Sequence, residues 1–240
     1  MLDETEVLRY AYSFKLNSGI TKTFEVLIEN NSLQIINKKD IEYPEWTKLE
    51  NFACSNCTLS KSENTYCPVA INLHEIIDFF SETPSFEIAE ITIESNNRAY
   101  VKRTSVQSGV SGIIGLIMPS SGCPITKKLR PLVKFHLPFS TIEETEYRVF
   151  SMYLFSQLLL KRKGYEPDWD MNKLKTLYKE ILTINQNIAR KIADVEKKDT
   201  SINAVVVLNN FADSVSLSLD EDEVSEYELY FKNYFNDETI

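Results

Sequence analysis

The four cysteines of this 240-residue chain are the side chains best suited to chemistry, and all of them lie between residues 54 and 123. Cys54 and Cys57 form a CxxC pair, whereas Cys67 and Cys123 each stand directly before a proline. A CxxC pair can bind one metal ion from a single loop, and thiolates are preferred ligands of structural zinc. The pattern therefore predicts a metal site made of Cys54, Cys57, Cys67 and Cys123.

The two Cys-Pro steps also predict where helices begin, because proline is favoured in the first turn of a helix. The apolar spacing in Pro68 to Phe80 indicates a helix with Cys67 as its N-cap. The same argument predicts a shorter helix that starts at Pro124 and ends before Pro131, with Cys123 as its N-cap. A thiol in this position faces free N–H groups. These groups lower its pKa and favour the thiolate that metal ligation and nucleophilic chemistry both need.

Zinc is the first metal to expect, because it needs only a tetrahedron of thiolates. A 4Fe-4S cluster uses the same ligand set and would make the protein a redox or sensor protein. With four thiolates on zinc, no coordination position is open to water or substrate, so the leading interpretation is a non-enzymatic binding or regulatory module. Alternatively, Cys67 and Cys123 are buried helix caps and the CxxC is an incidental loop pair.

A thiol-dependent enzyme is the competing class of function. Here Cys123 would attack an electrophile, and His136, which alternates with aromatic residues in Phe135 to Phe139, would act as its base. The other histidine, His74, is followed by Glu75 but lacks the second imidazole of a zincin HExxH motif. The sequence thus assigns no catalytic residue firmly.

The charge distribution bears on partners and compartment. The net charge is −9, and −7 of it falls after residue 218, so the remaining body is close to neutral. A duplex-binding protein needs a strongly basic surface, so we expect no nucleic-acid partner. The acidic start and the short apolar runs predict neither a signal peptide nor a membrane span. A cytoplasmic location follows as the expectation, and there the thiols stay reduced.

Two surfaces are candidates for binding. Lys127, Lys128 and Arg130, with Lys134 nearby, form the one local basic cluster, which is either a solvated helix face or a pocket for a small anion. The acidic C-terminal segment, residues 221–236, is amphipathic. Its apolar side either docks on the body of the protein or binds a protein partner.

The distribution of periodic segments predicts an α+β fold. Three strands of a meander are expected at Leu8 to Leu16, Thr21 to Ile28 and Ser32 to Ile36, and a hairpin at Ser85 to Glu94 and Ala99 to Thr104, about five strands in all. Residues 1–104 form the sheet-rich part, with the CxxC loop and one helix. Residues 105–240 form a helical part that we expect to pack with it as a single globular domain.

Two features of the helical part are specific. Gly109, Gly112 and Gly115 recur every three residues and predict close packing against the sheet or another helix. Either Ser140 or Thr141, with Glu143 or Glu144 three residues later, predicts a capping box at the start of a helix that runs to about Lys163 and ends at Gly164. Apolar residues go most of the way round that helix, so we expect it to be the central buried one.

Several sequence words support a family resemblance. They are CSNCTL, CPVAINL, SGCP, LRPLVKFHLPF, ETEYR, SMYLFSQ and SINAVVVLNNFA, from about Pro44 to about Ala212. In their order they resemble an uncharacterised bacterial family of unknown function. The resemblance implies a compact bacterial domain with a cysteine site and adds no catalytic assignment.

Overall fold

The computed structural model describes residues 6–37, 41–220 and 227–235. Within them four strands form one antiparallel sheet in the order β2-β1-β3-β4. The strands are β1 (Val7–Leu16), β2 (Thr21–Glu29), β3 (Ile88–Ser95) and β4 (Ala99–Ser105).

The β1–β2 hairpin follows the turn chemistry of the sequence. Gly19 sits in the turn at φ +87°, a conformation that glycine adopts without steric cost. The register pairs Tyr12 with Phe24 on one side and with Ile93 of β3 on the other. Tyr12 and Phe14 are fully buried, so one face of the sheet supplies the core.

The prediction of about five strands is wrong by one among the described residues. Ser32 to Ile36 forms only an isolated bridge, between Ile35 and Ile28 of β2. Leu33 has a positive φ of 56°, which breaks the extended conformation, and the Ile35 N–H donates to the carbonyl of Ser120 at 2.9 Å. The segment therefore stays paired with β2 only at this bridge, and on its other side it bonds to the end of a helix.

Eight α-helices are described. They are α1 (Leu49–Phe52), α2 (Pro68–Phe80), α3 (Val106–Ser120), α4 (Arg130–Lys134), α5 (Ile142–Arg162), α6 (Asn172–Ala193), α7 (Thr200–Asp220) and α8 (Glu228–Phe235). Short 3₁₀ turns occupy Glu45–Thr47 and Thr126–Leu129. The predicted boundaries of α2 and the capping box at Thr141 are confirmed.

Helix α3 is the central helix of the fold. Most of its side chains are buried, and it packs against the sheet, α2 and α7. A Cβ added at Gly109 would lie 2.6 Å from both Phe14 and Ile91, and one added at Gly115 would lie 3.2 Å from Leu208 of α7. The glycines permit close packing, as predicted.

The prediction that α5 is the central buried helix is wrong. Its fully buried positions are few, and Tyr147, Phe155, Leu159 and Leu160 are exposed on its outer side. The stretch Thr200–Leu219 of α7 is long and apolar enough to cross a membrane by length and composition alone. In the structure α7 packs against α3 and α6.

The glycine contacts give a test of the central packing. Gly109→Ala should lower the free energy of unfolding by about 1–3 kcal/mol, because its methyl group would press on the fully buried ring of Phe14. Gly112→Ala is the matched control, since its Cβ would meet Tyr12 at an ordinary 3.4 Å and alanine favours the helix. Urea denaturation of both variants measures the difference, and equal stabilities would contradict this packing.

Candidate metal centre

The fold brings the four cysteines to one place. Cys54 and Cys57 follow α1, Cys67 precedes α2, and Cys123 follows α3. All four line one cavity of about 20 Å³, room for a single water-sized sphere. The rest of its wall is largely apolar and includes Leu59, Val69, Ile125, Ile184 and Ile188. All four cysteines are free of disulfide bonds.

The CxxC pair lies on a turn that is fixed to α6. The Cys57 N–H donates to the carbonyl of Cys54 at 3.0 Å, which closes the turn. Between them, the Asn56 side chain donates to the carbonyl of Glu180 at 3.0 Å, and Asn187 donates to the Ser55 hydroxyl at 3.2 Å. The long irregular segment before α2 is therefore held by two contacts with a helix that lies far along the chain.

Cys67 is the N-cap of α2, as predicted, with Pro68 in the first turn. The N–H groups of Val69 and Ala70 face its sulfur and lower its pKa, but burial has the larger effect and raises the pKa to about 11. The expectation of a lowered pKa is therefore wrong for this thiol. Helix position alone does not make it a thiolate, because the sulfur is desolvated.

Cys54 is influenced by the whole cluster. Burial raises its pKa to about 12, and the negative charges that Cys67, Cys123 and Cys57 would carry act in the same direction. The ammonium group of Lys191 acts the other way, and it donates a hydrogen bond to the carbonyl of Asn51 at 2.6 Å. Without a bound cation, Cys54 and Cys67 are thus protonated thiols at neutral pH.

Cys123 reaches the cavity through a different local structure from the predicted one. The helix predicted from Pro124 is instead a 3₁₀ turn at Thr126–Leu129 that runs directly into α4. Pro131 lies in the first turn of α4, where proline is tolerated, so it starts a helix rather than ending one. Cys123 is therefore not a helix N-cap, and Gly122, at φ +102°, directs the chain toward the cavity.

The donor set matches structural zinc in ligand type and number. Within the described residues, however, no group of three or more His, Cys, Asp or Glu side chains is arranged so that it could hold a metal ion. The four thiols therefore share a cavity without surrounding one coordination centre. A metal would have to draw them together and displace their protons.

His136 lies apart from the cysteine cavity. Its Nε2 is 2.5 Å from the Tyr12 hydroxyl, and its ring meets Tyr10 edge-on. Burial, assisted by the positive charge of Arg148, lowers its pKa to about 3. Cys123 lines one cavity and His136 another, so the structure does not bring the proposed nucleophile and base together.

The basic cluster is largely engaged in contacts. Lys128 pairs with Glu180 at 3.4 Å, and Arg130 donates to the carbonyls of Ser32 and Pro119. Lys134 donates to the Asn30 side chain. Arg130 thus ties the chain after β2 to the end of α3, and the cluster does not converge on one point.

Within the amphipathic C-terminal segment, residues 221–226 and 236 fall outside the described part of the chain. The hydroxyl of Tyr227, the residue before α8, donates to Glu146 of α5 at 3.0 Å. Phe231 of α8 stacks on Tyr147 of α5. Leu229, Tyr234 and Phe235 are exposed. The segment therefore contacts the body of the protein with one side and leaves apolar side chains on another.

No motif in the sequence indicates a second, larger cavity of about 270 Å³. It lies between α3, α5, α6, α7 and residues 126–140, and Arg148 and Asn185 stand in its mostly apolar wall. The only sequence signal was an arginine within the apolar pattern of α5. No spacing rule connects Arg148 with Asn185, because α5 and α6 meet only in the folded chain.

The fold is α+β, and four cysteines line one small cavity beside α6. The chain belongs to the family described as a domain of unknown function, DUF6901, whose model matches residues 8–232. No curated protein and no solved structure matches it.

The depressed pKa of His136 predicts acid sensitivity. Folded His136 stays neutral down to about pH 3, whereas an unfolded histidine takes a proton near pH 6.5. The free energy of unfolding should therefore fall as pH falls below about 6.5, by up to about 1.4 kcal/mol per pH unit from this group. His136→Gln should remove that contribution and His74→Gln should retain it in denaturation at several pH values. A His136 NMR resonance that titrates near pH 6.5 would contradict the assignment.

Proposed function

We propose that Cys54, Cys57, Cys67 and Cys123 bind one zinc ion, and that this ion stabilises a cytoplasmic bacterial binding or regulatory module. The observation that carries the proposal is that all four cysteines, from three separate segments, line the same small cavity. On this proposal the ligands lie in three sequence motifs of this chain, CxxC, then CPVA, then SGCP.

The electrostatics of the cavity favour a bound cation. Burial and mutual repulsion oppose ionisation of the thiols, and a divalent ion reverses both effects because it supplies positive charge at the sulfur atoms. Four thiolates around zinc carry a net charge of −2. The Lys191 ammonium, which lowers the pKa of Cys54, and the N–H groups of Val69 and Ala70 would partly compensate it.

The size and lining of the cavity favour a structural zinc ion over the alternatives. A space of about 20 Å³ suits one ion better than an eight-atom iron–sulfur cubane, which would require the walls to move apart. Among the described residues that line it, no His, Asp, Glu or Lys is present to act as an acid or base. The elevated pKa values also disfavour Cys54 and Cys67 as reactive thiolates.

The test is metal analysis of protein purified without oxygen, together with single Cys→Ser variants. The parent should hold one zinc per chain, and Cys54→Ser and Cys67→Ser should lose it. A strong chelator should lower the unfolding temperature of the parent, since a ligand present at a thousand times its Kd stabilises by about 4 kcal/mol. The same chelator should have little effect on either variant. Ser60→Ala, an exposed change in the same loop, is the matched control and should behave like the parent.

Two results would contradict the proposal. Iron with sulfide and a broad visible absorbance would assign a cluster instead. A metal-free protein whose unfolding temperature does not change on anaerobic addition of zinc would remove the metal site altogether.

A partner is a separate part of this proposal. The exposed apolar side chains of α8, Leu229, Tyr234 and Phe235, together with Glu228 on the same helix and the acidic residues that adjoin it in the sequence, suit a protein partner with basic and apolar groups. A small anion at Lys127, Lys128 and Arg130 has less support, because Lys128 and Arg130 already have protein partners.

A further inference from the structure

The larger cavity has the composition of a site for a small organic molecule. Its volume of about 270 Å³ is at the small end of ligand cavities, and its walls are mainly apolar. Leu132, Leu137, Phe139, Ile181, Leu208 and Phe211 provide most of that surface. A ligand that fills it therefore needs an apolar body.

The charged side chains of this wall are all positive. Lys102 and Arg148 line the cavity, and no Asp or Glu does so among the described residues. The protein as a whole carries a net charge of −9, so this is a local reversal of sign. Lys102 is exposed near Phe139, with its ammonium 5.6 Å from the ring centre, whereas Arg148 is partly buried.

Arg148 is a cation without a close counter-ion in the described part of the chain. Its Nη2 donates to the carbonyls of Leu132 and Phe135, at 3.2 and 2.6 Å, and no carboxylate lies within 4.0 Å of it. Burial lowers the pKa of Arg148, and Tyr178 followed by Glu144 opposes this effect. The Glu144 carboxylate accepts a hydrogen bond from the Thr141 N–H. A desolvated guanidinium is stabilised by an anion, and its remaining donors suit carboxylate or phosphate oxygens.

His136 contributes a polar group beside Arg148 without adding charge. Its pKa of about 3 keeps it neutral, partly because of the neighbouring guanidinium. The wall at this end therefore combines one fixed cation with a neutral hydrogen-bonding ring.

Asn185 provides a second polar point. It is 2% exposed, and its Oδ1 accepts no hydrogen bond. Tyr178, whose pKa burial raises despite the Arg148 charge, stands seven residues earlier on α6 and lines the same cavity. The wall therefore combines a cation with a second polar residue.

We infer that this cavity binds an amphipathic organic anion, with carboxylate or phosphate oxygens at Arg148, an apolar body along α3 and α7, and a hydrogen-bond donor facing Asn185. The site is independent of the cysteine cavity. The chemistry common to possible ligands is an anionic oxygen group on an apolar chain.

The experiment is isothermal titration of the full chain with four probes that share one chain length, at constant ionic strength. Octanoate and octyl phosphate should bind with one molecule per chain, octanol about tenfold more weakly or worse, and octylammonium not at all. The tighter of the two anions identifies the headgroup. The inference would be overturned if octanol bound as tightly as both anions, or if neither anion bound.

Variants of Arg148 locate the anionic end of the ligand. Arg148→Gln should weaken octanoate about tenfold or more, Arg148→Lys less, and Lys127→Gln, an exposed charge outside the cavity, should have no effect. Equal affinities for Arg148→Gln and Lys127→Gln would contradict the assignment of the anionic end.

If the Arg148 variants fail to fold, Asn185→Leu still tests the site. This variant should fold, because it removes an unsatisfied buried acceptor. The parent should bind ω-hydroxyoctanoate more tightly than octanoate, and Asn185→Leu should abolish that preference while retaining octanoate binding. The same preference in both proteins would remove Asn185 from the site.

Discussion

The close approach of α3 to the sheet is the contact on which the rest of the structure depends. Gly109 allows the helix backbone to lie against Phe14 and Ile91, and Gly115 allows α7 to pack on the opposite side. With α3 in this position, its C-terminal end delivers Cys123 to the same cavity as Cys67. The wall of the larger cavity is formed by the same helix. Both candidate sites therefore depend on the lack of a side chain at Gly109 and Gly115 of α3.

Desolvation is the effect that decides the chemistry of the cysteine cavity. The amides at the start of α2 favour a thiolate at Cys67, yet burial outweighs them, and at Cys54 the neighbouring sulfurs add to the penalty. A helix N-terminus changes the energy of a nearby charge by about 1 kcal/mol, which is less than the cost of burying it. Ionisation in such a place requires a strong positive charge inside the cavity.

The sequence predicts those parts of the fold that local rules control. The bounds of α2, the capping box at Thr141 and the close packing at Gly109 follow from proline, capping and glycine chemistry. The predictions for Ser32 to Ile36 and for the helix at Pro124 are wrong, because a tertiary hydrogen bond to Ser120 and a continuous turn into α4 prevail there. The CxxC spacing and the two Cys-Pro steps predict that the cysteines come together, and all four line one cavity. The raised pKa values and the cavity at Arg148 depend instead on packing between distant segments.

Helix α6 borders both cavities with different sides. Asn187 and Lys191 hold the cysteine loop, while Tyr178 and Asn185 face the other cavity. The two cavities therefore share α6 as a common wall, so a substitution that unfolds or displaces this helix would disturb both of them.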